Sequence, residues 1–380
     1  MSLLGVLGIL LAFLAYPFAM VEKSRTRVVV FVLCWLVHVV ASFIYYQYVQ
    51  TNSADTALYY LDPYSMIKVP IRPGTLFAVH LVQGLKSVVG GTYLDYFFLF
   101  QALGFWGIAL MMRVFEETHL ELGLPQRGIL YLILFMPGVH FWTSAVGKDA
   151  PLFFACALAV WAAMRLPARI IPLAVAIVVM TAFRPHVALV AVLALALTAF
   201  LDPRARGYLK FSLLAIAVTG AGILAGTVEA TFSVDVSNAE SVSDFFNRHA
   251  KIASADSGTT GVVGASFPVR LLSLLFRPLF IDAEGAFGLV ASVENIFLMV
   301  VVGSFIFYAR DTVRMARHVF YLRFALIFAA AVAVLLTLVY YNVGLGLRQK
   351  MMMMPGMLTF FVALQAVRSA RRSAPVPAHA

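Results

Sequence analysis

Ionisable side chains are scarce in this chain, and a set of them stands at the edges of apolar runs. Asp55 precedes Tyr59 and Tyr60 in ADTALYY, and Lys148 adjoins Asp149 in FWTSAVGKDAP. Arg184 and His186 flank a proline in FRPH, Arg277 is followed by Glu284 in FRPLFIDAEG, Glu294 lies in ASVEN, and Arg348 and Lys350 close LRQK. Arginine forks and lysine point charges suit phosphate oxygens. A carboxylate or imidazole beside them can take the proton of an attacking hydroxyl. Together these groups suit group transfer from a diphosphate donor, in which cations stabilise the departing diphosphate.

Each feature also has a purely structural reading. Asp149, just before Ala150-Pro151, fits an N-cap followed by proline in the first turn, with Lys148 as its ion-pair partner. Arg184 can snorkel from a helix end, and His186 can be a satisfied core histidine. Arg277, Arg348 and Lys350 can be interfacial anchors, while Asp55 and Glu284 fit solvated loops. Glu294, about two turns inside an apolar run, is costly to bury and needs a partner.

The elements that hold these residues follow from composition. The chain has 380 residues, 62% hydrophobic and 12% charged, against roughly 25% charged in an ordinary soluble domain. Many apolar runs approach the ~20 residues that a helix needs to cross the hydrocarbon core, and they lack the alternation of barrel strands. The expected fold is all-α: a polytopic transmembrane bundle of about eleven spans within one membrane domain, 1–380. The spans fall near 2–20, 28–47, 93–112, 127–142, 150–164, 169–183, 186–201, 210–229, 286–308, 322–341 and 351–367. The first run lacks a basic leader segment and reads as a retained helix. Cys34 and Cys156 lie inside apolar runs, with no second cysteine at metal-ligand spacing, so no disulfide and no zinc site is expected.

Placing EKSRTR (Glu22 to Arg27) in the cytoplasm puts the N-terminus outside and the C-terminus inside. Dense basic loops such as DPRARGYLK then lie inside. Asp55, Lys148, Asp149, Arg184, His186, Arg277, Glu284, Arg348 and Lys350 lie outside or at the outer ends of spans. The net charge of +10 is spread over loops, so topology rather than nucleic acid accounts for it. Two outer loops, about 47–92 and 230–285, are long enough for structure of their own. In the first, TLFAVHLVQGLKSVVG has helical periodicity with His80, Gln83 and Lys86 on one face, as in a helix lying in the interface. In the second, a polar half reads as a lid and FPVRLLSLLFRPLF as a re-entrant or interfacial segment.

The order D-x-x-x-Y, FW-T-S-x-x-GKD, RPH, FRP with following acids, ASVEN, then N-x-G-x-x-x-RQK resembles the O-antigen and exopolysaccharide polymerases of bacterial surface-polysaccharide assembly. More distantly it resembles the polyprenyl-linked glycosyltransferases of the GT-C kind. The resemblance runs from about Asp55 to Pro355. It implies a glycosyltransferase or polymerase of the inner membrane that uses a polyprenyl-(di)phosphate-linked saccharide and a saccharide or lipid-linked acceptor at the outer face. Arg184, Arg277 and Arg348 would grip the diphosphate, and Lys148 and Lys350 join them by their charge and position. His186, Asp55 or Asp149 would act on the acceptor hydroxyl, with Glu284 and Glu294 as supporting acids. No cofactor is implied, except that a GT-C mechanism would add a divalent metal near Asp55; the chain lacks the tight D-x-D or E-x-D of that group. The alternative is a transporter or flippase for a lipid-linked sugar or related anion. Such proteins place charge near the bilayer midplane and often repeat their halves, and no repeat is visible here.

Overall fold

The computed structural model describes residues 2–22, 24–52, 54–124, 128–204, 265–338 and 343–373, with scattered residues between 207 and 262. Among these the chain is helical and forms no strand. The first elements are α1 (Leu3–Phe13), α2 (Tyr16–Ala19), α3 (Arg25–Thr51), α4 (Asp55–Leu61), α5 (Thr75–Val89) and α6 (Tyr93–Glu121). They are followed by α7 (Pro137–Trp142), α8 (Asp149–Met164), α9 (Ile170–Phe183) and α10 (Pro185–Phe200). The last group is α11 (Phe267–Phe276), α12 (Gly285–Phe307), α13 (Ala309–His318), α14 (Phe320–Leu338), α15 (Val343–Gln349) and α16 (Met354–Ser373). Five helices are long and apolar enough to cross a membrane: Arg25–Thr51, Tyr93–Glu121, Leu166–Phe183, Gly285–Phe307 and Phe320–Leu338. Val343–Met352 with Met354–Arg372, bent by 63°, makes a sixth if counted as one span.

The central mast is α6, which packs on α1, α3, α8 and α16. It starts at a capping box, in which the Thr92 hydroxyl accepts from Asp95 N while the Asp95 carboxylate accepts from Thr92 N. Small residues let neighbours close on it: Gly104 passes beside the Thr143 carbonyl and Gly107 beside the Phe153 ring. By contrast α3 and α12 expose Leu36, Val40, Ile44, Phe287, Val293 and Val300, the surface that a lipid-facing helix presents.

Several expectations change. Residues 127–142 do not form one helix: a 3-10 turn over Gly128–Phe135 is followed by α7, with Pro137 at its first position. The first run, 2–20, breaks between α1 and α2, where Pro17 opens the second piece. The span expected at 93–112 continues to Glu121, because Arg113, Glu116 and Glu117 find partners inside the bundle. The expected helix in TLFAVHLVQGLKSVVG is α5, but its polar face turns to protein. Gln83 Nε2 donates to the carbonyls of Tyr59 and Tyr60 at 2.9 Å each, and Lys86 Nζ donates to Tyr60 at 3.1 Å. The polar half of the second loop lies largely outside the described residues, and so does half of the span at 210–229.

Candidate functional site

One end of the bundle brings together side chains from five elements. Asp149 opens α8 and is buried; its carboxylate accepts from Arg348 Nε on α15 and lies 3.6 Å from Arg184 Nη2, the residue before α10. The other arm of the Arg348 fork, Nη1, donates to Asp55 Oδ2 at 2.8 Å in the first turn of α4. Lys148 Nζ donates to Thr75 Oγ1 at 3.1 Å at the start of α5. The expected group of Asp55, Lys148, Asp149, Arg184 and Arg348 therefore converges from positions as far apart as 293 residues.

Local backbone explains how FWTSAVGKDAP presents its two charges. Gly147 has φ +134°, in the region that favours glycine, and a Cβ there would lie 2.4 Å from the Tyr59 ring. That close approach seats Tyr59 of α4 on the turn that carries Lys148 and Asp149. A backbone bond from Gly74 N to the Ala182 carbonyl, 2.8 Å, ties α5 to the end of α9 and so to Arg184.

Three cations and two carboxylates leave this cluster with one positive charge in excess when all are ionised. Two of its donors are unused: Arg184 Nε and the Tyr59 hydroxyl are buried and make no hydrogen bond among the described residues. Burial, and then the Arg184 guanidinium, push the Lys148 ammonium down to about 8, against the pull of Asp55 and Asp149. For Asp55, burial acts upward but Arg348 and Lys148 outweigh it and hold the carboxyl below the usual range. A positive, partly unsatisfied cradle of this kind binds an oxyanion with several acceptor oxygens.

The remaining expected residues lie elsewhere. Arg277 pairs with Asp282 rather than with the cluster. Lys350 is fully buried and donates to Asn295 Oδ1, whose amide donates to the Pro278 carbonyl at 2.7 Å. Its neighbour Glu294 accepts from Gly138 N at 2.5 Å. Glu284 is exposed at the start of α12. His186, the second residue of α10, makes no hydrogen bond among the described residues and lies within electrostatic reach of Arg184 and Lys148. Among the described residues no three His, Cys, Asp or Glu side chains group as metal ligands.

A cavity of about 960 Å³ opens between α3 and α12. Leu36, Val40, Ile44 and Tyr48 line it along one stripe of α3, which at 1.5 Å per residue makes it about 18 Å long. Leu347 also lines it, and the next residue, Arg348, belongs to the cluster. The lateral groove and the cationic cluster thus share α15. Sequence reasoning missed Thr75, Asn295 and the groove. No spacing marks them, because each depends on how helices lie around the bundle. Comparison of the chain with protein-family models, curated proteins and solved structures gives no match.

Proposed function

We propose that this protein is a membrane glycosyltransferase of the polymerase type, acting on a polyprenyl-(di)phosphate-linked saccharide at the outer face of a bacterial cytoplasmic membrane. The observation that carries the reading is the convergence of Lys148, Arg184 and Arg348 on one end of the bundle, with Arg184 Nε and the Tyr59 hydroxyl unused, next to a groove open to lipid. In this reading the diphosphate lies against the cluster and its apolar tail lies along α3. Asp55 and Asp149 hold the Arg348 fork in place by accepting from it, so their part is positional. His186 takes the acceptor hydroxyl proton as that oxygen bonds to the anomeric carbon, and the bond from that carbon to the diphosphate oxygen breaks. The diphosphate departs on its carrier, its charge met by Arg184, Arg348 and Lys148. The path through the membrane is the eleven-span one with the N-terminus outside, residues 127–142 crossing as a broken segment.

The test is transfer by purified protein in lipid nanodiscs supplied with a polyprenyl-diphosphate oligosaccharide. Arg184→Ala lowers transfer by about 10- to 100-fold, as expected for loss of a charge-assisted contact, while folded protein remains. His186→Ala lowers transfer and removes the acidic limb from the activity that remains. Full activity in both variants contradicts the assignment. Movement of the lipid between leaflets with no new glycosidic bond replaces it with a transporter.

A further inference from the structure

Midway along α3, away from the cationic cluster, two histidines meet inside the bundle. His38 Nδ1 and His140 Nδ1 are 3.2 Å apart, and both rings are buried. The other nitrogen of each ring faces a backbone carbonyl: His38 Nε2 lies 3.0 Å from the Gln101 oxygen, and His140 Nε2 lies 2.8 Å from the Leu134 oxygen. Carbonyl oxygens only accept, so each Nε2 must carry a hydrogen. The chain of contacts from carbonyl to ring to ring to carbonyl therefore needs three protons, and two neutral imidazoles carry only two. With two, the facing Nδ1 atoms oppose their lone pairs at hydrogen-bonding distance, or one carbonyl bond is lost. With three, every contact is a hydrogen bond.

We propose that His38 and His140 together form a binding site for one proton, shared between their Nδ1 atoms and opening through His140 onto the lateral groove. Burying the positive charge is costly. Two charge-assisted bonds to carbonyls and one between the rings offset that cost. The elements packed around the pair supply one acid, which lies within electrostatic reach of the Lys350 ammonium. Glu294 on α12 lines the same groove and accepts from Gly138, two residues before His140. Lys350 is bound to Asn295, Arg348 on α15 to Asp149 and Asp55, and Tyr131 of the 3-10 turn to Glu116. From α6 the pair meets the Gln101 carbonyl and the Phe105 ring.

The consequence is mechanical as well as electrostatic. The shared proton bonds α3 to α7, the two elements whose outer ends lead to Asp55 and to Lys148 with Asp149. Occupancy of the pair thereby fixes the spacing of the segments that build the cationic cluster.

The experiment is 15N NMR of the full-length protein, histidine-labelled and held in lipid nanodiscs at neutral pH. The eight histidines are sorted by the signals that vanish in His38→Gln and His140→Gln. The proposal predicts three protonated ring nitrogens and one unprotonated nitrogen across the pair, and a 15N–15N coupling through the shared hydrogen. That coupling identifies the pair in the unsubstituted protein even if neither variant folds. Two protonated and two unprotonated nitrogens without the coupling overturn the proposal. So does a metal ion found one per chain by elemental analysis and lost on removing either ring.

Discussion

Lys148 donates to Thr75, and burial and Arg184 hold its ammonium down to about 8, where an ordinary lysine titrates near ~10.4. The sign follows directly: below that value the side chain is charged and attracts an anion, and above it the attraction is lost. The KM for a diphosphate-linked donor should therefore rise as pH passes upward through about 8, and Lys148→Arg should carry the low KM to higher pH. A KM in the unsubstituted protein that stays flat through that range removes Lys148 from anion binding. At this scale the sequence grouped residues at span ends and was silent about azimuth. Alternating parity placed Lys148, Asp149, Arg184, Arg277, Arg348 and Lys350 at one face. It had no means of showing that Arg277 turns to Asp282 and Lys350 to Asn295. The cost of burying Glu294 was legible from its place in ASVEN. Its bond to Gly138 was not, because that depends on α7 starting against α12.

Among elements, the C-terminal half of α6 shows how charge is carried into an apolar bundle. Glu117 accepts from Arg113 Nε at 2.6 Å and from Arg169 Nη2 at 2.7 Å, and Arg169 lies 4.0 Å over the Trp161 ring. Glu116 accepts from Val21 N at 2.9 Å and pairs with Arg27 of α3 at 3.2 Å. This network binds α2, α3, α6 and α9 at the end away from the cluster. Removing the shared acid leaves two guanidinium groups without it, so Glu117→Ala should destabilise the bundle by about 3 to 5 kcal/mol. Thermal unfolding in nanodiscs measures the loss, and transfer per folded molecule should be unchanged. An unfolding temperature equal to that of the unsubstituted protein contradicts the network's role. The run of charges from Arg113 to Glu121 made 93–112 look like the end of a span. Ion pairs carried the helix nine residues further, a compensation that hydropathy does not register. Residues 127–142 erred the other way. Their apolar content suggested a helix, but Pro137 and the 3-10 turn before it interrupt the ladder.

For the whole molecule, the described ion pairs gather at two ends of an apolar bundle. One end holds the cluster around Arg348, and the other holds the network at Glu117 with Asp311 between Arg368 and Arg371. Composition alone made the all-helical membrane class legible, whereas the lateral groove depends on how α3 and α12 stand on either side of α7. The proposed orientation is checked by labelling intact cells with an impermeant maleimide; Cys34 and Cys156 are buried and stay silent. A cysteine at exposed Ser87 should react and one at exposed Arg314 should not, and the reverse pattern inverts the assignment. The most direct test of the central claim is equilibrium binding of a polyprenyl diphosphate to protein in nanodiscs, with and without Arg184→Ala. The account predicts saturable binding that weakens by about 10- to 100-fold in the variant, the loss of one charge-assisted contact. Equal affinity in the two proteins would contradict it.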